Sequence, residues 1–418
     1  MTLLTHELRL LLRSRMALLA LLLVALLAAA SVAAGMAEVA RQRDVIARIQ
    51  PKQAQDMAAV AQWAAETKDP GTAAYYSFHA TWDTPSPLAF AALGLRDVAP
   101  YILRVRALGL EAQLYDGEAF NPELALPGRF DFSFVLVYLT PLFVIALFHD
   151  LVSGEREAGR LRMLDALAGS GRSLWRRRVL LRGGSLFLAL AAPLTIGAIL
   201  SAVPLPTLLS VQGLVALYLA FWIGVTLLVG RMRWSSVANA ATLAGIWLVL
   251  TLILPTIAHV AINRLIPVGE GVELTLAQRE AVNRAWDIPR ADSMRAFYAG
   301  HPEWKDSPLL TDAFHYKWYF AFHQVGDESV APKVAAYRNG IEARDTAARG
   351  IGWLLPSVGV QAALTRLANT DMAAQLAYQD RIRAFHEKLR NFYYRYLFTD
   401  TPFEKDDFDR APTFVGGA

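Results

Sequence analysis

The sequence predicts an all-α polytopic membrane protein. It has about five transmembrane helices, six if one weaker segment is counted, and two mainly helical extracytoplasmic domains. Three observations carry this reading. Residues 16–36, 132–148, 183–203, 208–230 and 237–258 contain no Asp, Glu, Lys or Arg, over stretches of 17 to 23 residues. At 1.5 Å per residue each can cross a hydrocarbon core of roughly 30 Å, the 17-residue stretch only just. Second, 55% of the 418 residues are hydrophobic and the mean hydropathy is +0.30, which a soluble chain with five such stretches would not tolerate. Third, segments 1–15, 149–182 and 231–236 together carry thirteen Lys/Arg against five Asp/Glu, in a chain whose net charge is only +4. Short Arg-rich loops mark the cytoplasmic side, so the N-terminus is expected inside the cell.

Residues 1–15 form an amphipathic elbow helix. Leu3, Leu4, Leu8, Leu11 and Leu12 recur at near-helical spacing, with Glu7, Arg9 and Arg13 elsewhere on the wheel, the pattern of a helix lying in the interface. The first span, 16–36, has a rival reading as a cleavable signal peptide. Its length, and the helical pattern continuing through Val39, Val45, Ile46 and Ile49, favour a retained span. Residues 37–131 form the first extracytoplasmic domain, helical at first and then looser, with turn signals at Asp69-Pro70-Gly71 and Asp83-Thr84-Pro85-Ser86-Pro87.

The second span, 132–148, runs at once into a charged, Gly-punctuated loop, 149–182. Spans 183–203 and 208–230 are joined by a short turn at 204–207, and 237–258 is the fifth. Pro141, Pro193 and Pro255 interrupt three of the spans and predict bends. Residues 263–418 form the second extracytoplasmic domain, with helices around Thr275–Trp286, Thr311–Gln324, Val334–Arg349 and Thr370–Tyr396. Gly350–Thr365 is the weaker sixth candidate: it is uncharged but short and contains Pro356 and Gln361, so a buried or interfacial helix is the preferred reading. Tyr393, Tyr394, Tyr396, Phe398 and Phe403 are read as domain core rather than an interfacial belt.

Several function classes fall away. The absence of cysteine rules out disulfides and thiolate chemistry. The spans hold no Asp, Glu, Lys or Arg, which argues against an ion-driven carrier. No G-x-x-x-x-G-K-[ST] loop is present; Gly169-Ser170-Gly171-Arg172-Ser173 lacks the lysine, so any nucleotide is expected on a partner chain. No His-x-x-x-His or Gly-x-Ser-x-Gly pattern occurs. His301, His315 and His323, with Glu303, Asp306 and Asp312, sit among aromatic residues and read as structural rather than as a metal site. Outside the Arg172–Arg182 loop no basic stripe interleaved with aromatics suggests nucleic-acid binding, and His259 reads as an interfacial histidine.

The central segment is similar to a known family. Asn121-Pro122-Glu123-Leu124, Gly128-Arg129-Phe130-Asp131, Pro141-Leu142, Asp150 and Ser153-Gly154-Glu155-Arg156-Glu157-Ala158-Gly159-Arg160-Leu161 resemble permease subunits of type-2 ABC exporters, in the branch with two large extracytoplasmic domains. Gly94, Asp97 and Pro100 add supporting pattern. The resemblance implies that Glu155, Arg156, Glu157, Gly159, Arg160 and Leu161 form or adjoin a coupling helix, with the elbow, docked on separate ATPase subunits that bind ATP and Mg. It implies no cofactor in this chain, a second permease subunit as homo- or heterodimer partner, and a place among the lipids of the bacterial inner membrane. Members usually have a sixth span, for which Gly350–Thr365 is the candidate here. The expected function is ATP-driven export of an unidentified substrate. The alternative is a mechanical transmitter acting on an extracytoplasmic lipid, lipoprotein or other periplasmic partner.

Overall fold

The computed structural model describes residues 3–64, 66–115, 129–167, 171–310 and 314–416. In chain order its elements are α1 (Leu3–Arg13), α2 (Arg15–Ala64), α3 (Pro70–Tyr76), β1 (His79–Trp82), β2 (Ile102–Val105) and α4 (Glu111–Tyr115). Then come α5 (Phe132–Glu157), α6 (Leu161–Leu167), α7 (Gly171–Leu200), α8 (Leu205–Gly230) and α9 (Ser236–Leu265). The rest is α10 (Gly271–Ala285), α11 (Arg290–Gly300), α12 (Tyr316–Gly352), α13 (Pro356–Leu367) and α14 (Met372–Leu397). Helices α2, α5, α7, α8 and α9 are each long and apolar enough to cross a membrane. Helix α1 packs on α2 and α7 at one end of this bundle, the elbow end; the large segments lie at the other, the domain end.

Four helices overrun the spans marked by charge, α9 by running on to Leu265. Helix α2 does not stop at Met36 but continues to Ala64, because residues 37–64 are rich in Ala, Gln and Arg, which favour the helix even in water. Its buried positions Val24, Ala28, Ser31, Gly35, Val39, Gln42 and Ile46 fall at helical spacing, so one stripe runs from bundle into domain. Helix α7 begins at Gly171, which makes the second half of the predicted 149–182 loop helical. In α5 the helical hydrogen bonds pass Phe148, with His149 N–H to Ile145 O and Gly154 N–H to Asp150 O, and reach Glu157.

The prolines act locally. Val135–Leu139 and Val249–Ile253 are π-helical, each just before a proline, Pro141 or Pro255. Proline has no N–H and its ring crowds the carbonyl four residues back, so the preceding turn widens. The carbonyl that Pro141 leaves unclaimed, Val137 O, accepts from the Tyr218 hydroxyl of α8 at 2.8 Å, and the next, Tyr138 O, from Trp247 Nε1 of α9 at 3.2 Å. Pro193 sits inside α7 without such a break. Helix α5 is thereby central, with 61% of its apolar window buried, and α9 peripheral, with 6%.

The segments 37–131 and 263–418, read from the sequence as two domains, share one core. Ile46, Ala61, Tyr115 and Leu114 from the first pack with Phe297, Phe320, Tyr378, Leu389 and Phe414 from the second. Tyr393, Tyr394, Phe398 and Phe403 are buried in it, as expected, with Tyr396 packed against it. The looser part of the first segment holds the antiparallel pair β1–β2, with His79 opposite Val105. The two helices predicted at Thr311–Gln324 and Val334–Arg349 are one, α12, in its described part, and α11 was not foreseen. Gly350–Thr365 is broken between Gly352 and Pro356; α13 has 12 residues and is no span. It buries Val360 and Leu364 in the bundle's own core, and Ser357 Oγ donates to Leu250 O at 3.0 Å.

An apolar, non-helical stretch, Leu88–Leu93, is buried among the domain ends of α2, α5 and α7. A methyl group on Gly35 would lie 2.0 Å from the Phe90 carbonyl oxygen, and one on Gly197 would meet Val32 at 2.6 Å. Only glycine lets α2 and α7 close around this wedge. Irregular backbone at this depth needs partners inside the protein. Ala91 O accepts from Ser133 N–H at 2.9 Å, Ala92 O from Thr370 Oγ1 at 2.8 Å, and Leu93 N–H donates to Asp131 Oδ2 at 2.8 Å. Asp131 also caps α5 through Phe134 N–H at 2.9 Å.

Candidate functional site

The residues singled out by the sequence meet at the elbow end. Ser153–Glu157 is the last turn of α5, and Gly159 ends it with φ +73°. Arg160 N–H reaches Glu155 O at 2.9 Å and Gly159 N–H reaches Arg156 O at 3.0 Å, a glycine-terminated cap. Nothing lies within 4 Å of where a Gly159 side chain would begin, so the demand is conformational alone. Gly159→Val is expected to cost about 1–2 kcal/mol through left-handed backbone strain. Hydrogen exchange should show Ser153–Leu161 opening more often in the variant, and unchanged protection would remove the assignment.

Glu155 is the centre of an ion network. One carboxylate oxygen takes Arg160 Nε at 2.8 Å; the other takes Arg178 Nη1 at 2.9 Å, and Arg178 Nε reaches Glu7 of the elbow at 3.2 Å. Burial pushes the Glu155 carboxyl up, but the two guanidiniums outweigh it and hold it below the ordinary range. Arg156 donates to the carbonyls of Met232 and Trp234 in the α8–α9 turn. Glu157 accepts from Ser236 N–H at 2.7 Å and Ser236 Oγ at 3.0 Å. These bonds lower its pKa and place a negative charge at the N-terminus of α9. Ser153 Oγ meets Ser236 Oγ at 2.8 Å, and Asn239 Nδ2 reaches Ser153 Oγ at 3.3 Å. The turn therefore fastens α1, α5, α7 and α9 at one point.

Arg160, Arg9 and Arg13 are exposed, and Leu161 opens α6 half-buried. Arg178, Ser236 and Asn239 were missed as site residues. A signal existed for Arg178: stepping back by fours from the buried Leu194, Leu190 and Leu186 lands on Arg182, Arg178 and Leu174. At the domain end, Asp97 and Arg129 from the quoted motifs form an ion pair, and Gly94 has φ +50°. Asn121–Leu124, Gly128, Gly169-Ser170 and Asp312 lie outside the described residues.

The histidine group does not converge. His315 caps α12 by accepting Lys317 N–H at 3.1 Å, His301 pairs with Glu328 at 2.8 Å, and His323 is half-buried against Tyr319 and Phe322. Among the described residues no three His, Asp or Glu are placed to hold a metal.

Fold and composition define a helical protein with several membrane-crossing candidates. Residues 272–415, about a third of the chain, match the family model described as Domain of unknown function (DUF3526). The match runs from the start of α10 to beyond α14. No curated protein and no solved structure matches the chain.

Proposed function

We propose that this chain is the membrane-spanning permease subunit of a type-2 ABC exporter of the bacterial inner membrane, with its N-terminus and the turn 153–161 on the cytoplasmic side. ATP and Mg belong to a separate ATPase subunit, and a second permease, identical or related, completes the assembly. The observation that carries the reading is the Glu7–Arg178–Glu155 chain with Glu157 on Ser236. An ATPase seated on this turn would move the elbow and three spans together, without charge or nucleotide loop in the spans themselves. A second reading, mechanical transmission to a periplasmic lipid, lipoprotein or protein, draws support from the unbroken α2 and from the single large body it enters.

The test is co-purification with a candidate ATPase, followed by hydrolysis in Glu155→Lys/Glu157→Lys. Loss of permease-stimulated ATP hydrolysis by about tenfold, equal to ~1.4 kcal/mol of coupling, is expected. The thermal melting of the domain core should be unchanged. Undiminished association and stimulation would remove the reading.

A further inference from the structure

A cleft of about 370 Å³ lies where α2 leaves the bundle at the domain end. Its apolar lining is the exposed Ala34, Ala37 and Phe130 with the buried Leu93; its charged lining is Glu38, Arg41 and Arg129. The charges are layered. Glu38 and Asp97 are recessed, with side chains 13% exposed, while Arg41 and Arg129 stand in front at 58% and 45%. Glu38 binds Arg41 Nη2 at 2.7 Å and Arg129 Nη1 at 2.6 Å, and Asp97 holds Arg129 Nε. The two carboxylates thus orient two guanidiniums whose outer faces are open, a geometry suited to phosphate oxygens.

Depth identifies the ligand class. The uncharged part of α2 ends at Ala37, so Arg41 stands roughly 6 Å beyond it along the axis. The polar interfacial layer is about 5–8 Å thick on each side of the hydrocarbon core. Arg41 and Arg129 are therefore at the level of lipid phosphates. Ala34, Ala37 and the 39%-exposed Phe130 lie where the first carbons of an acyl chain would be.

We propose that this cleft binds a membrane phospholipid, with its phosphate on Arg41 and Arg129 and its upper acyl chain along Ala34, Ala37 and Phe130. The site rests only on α2 crossing a membrane, not on the exporter reading. It joins the lipid to the wedge Leu88–Leu93 through Leu93, and to α5 through the Phe130-Asp131 link.

Native mass spectrometry of the detergent-purified chain, with phosphatidylglycerol or diacylglycerol of identical chains added, is the test. The wild type is expected to retain phosphatidylglycerol and not diacylglycerol. Arg41→Gln/Arg129→Gln should lower phospholipid occupancy about tenfold. Ala37→Trp, which fills the cleft and leaves every charge in place, should do the same, so that a folding defect in the Arg variant cannot decide the result. Full retention in either folded variant overturns the proposal. So does displacement of the lipid by inorganic phosphate alone, which would make the cleft a site for soluble anions.

Discussion

Below pH 6.5 the domain core is expected to lose stability increasingly steeply, approaching about 4 kcal/mol per pH unit near pH 5, because three of its histidines are held neutral. Burial lowers His79 to about 4 and His323 to about 3, the latter with help from Arg390 and Arg106. His386 is pushed well below its ordinary value by burial and by Arg390. An unfolded histidine titrates near 6.5. Below that value the unfolded chain takes up protons that the folded core refuses, so stability is full above pH 6.5 and falls as the pH drops toward 4. Each ring contributes about 1.4 kcal/mol per pH unit. His323→Phe, packed against Phe322 and Tyr319, should flatten the slope by about a third. Melting followed by tryptophan fluorescence reads the effect, and a flat profile from pH 7 to 5 would refute it.

Asp327→Ala should cost about 3–5 kcal/mol, the range for stranding one member of a buried ion pair. The carboxylate accepts Arg390 Nη2 of α14 at 2.5 Å, Leu110 N–H at 2.7 Å, Glu111 N–H at 3.3 Å and Gln278 Nε2 of α10 at 3.3 Å. It therefore caps α4 while holding α10, α12 and α14 together. Truncation leaves a buried guanidinium without its counter-charge, bonded only to Leu108 O at 3.0 Å, and two backbone donors unpaired. Replacing both charges, Asp327→Leu/Arg390→Met, should restore most of the loss. Chemical denaturation compares the three chains; a single-variant cost under about 1 kcal/mol would show that the pair is not buried as described.

Much of the bundle was legible because lipid imposes a one-dimensional rule: an uncharged run of sufficient length is a helix. Leu3, Leu8 and Leu11 revealed the elbow by a second rule, apolar residues at helical spacing among charges. What was not legible needed partners distant in sequence. Nothing near Thr81 announces that its hydroxyl meets Tyr378 at 2.9 Å, or that β1 will line a core completed by α14. The prolines predicted disturbance; that Tyr218 and Trp247 would repair one such site depends on how α8 and α9 pack. At the candidate site, Glu155 and Glu157 were visible as a charge run. That Glu155 turns inward to Arg178, while Glu157 stays exposed and bonds Ser236, follows from helix phase and tertiary contact.

The buried stripe of α2 also sets a rule of length. From Val24 through Val39 to Ile46 one face of a single helix serves both bundle and domain. Each residue turns a helix by about 100°, so deleting one residue near Met36 would swing Gln42 away from Arg96, to which its Oε1 is bonded at 3.0 Å. Removing eleven residues, close to three full turns, would restore the direction but shorten the reach by about 16 Å. The passage from membrane to domain is thus fixed in phase as well as distance, and homologous chains should vary in loop length everywhere except along this helix.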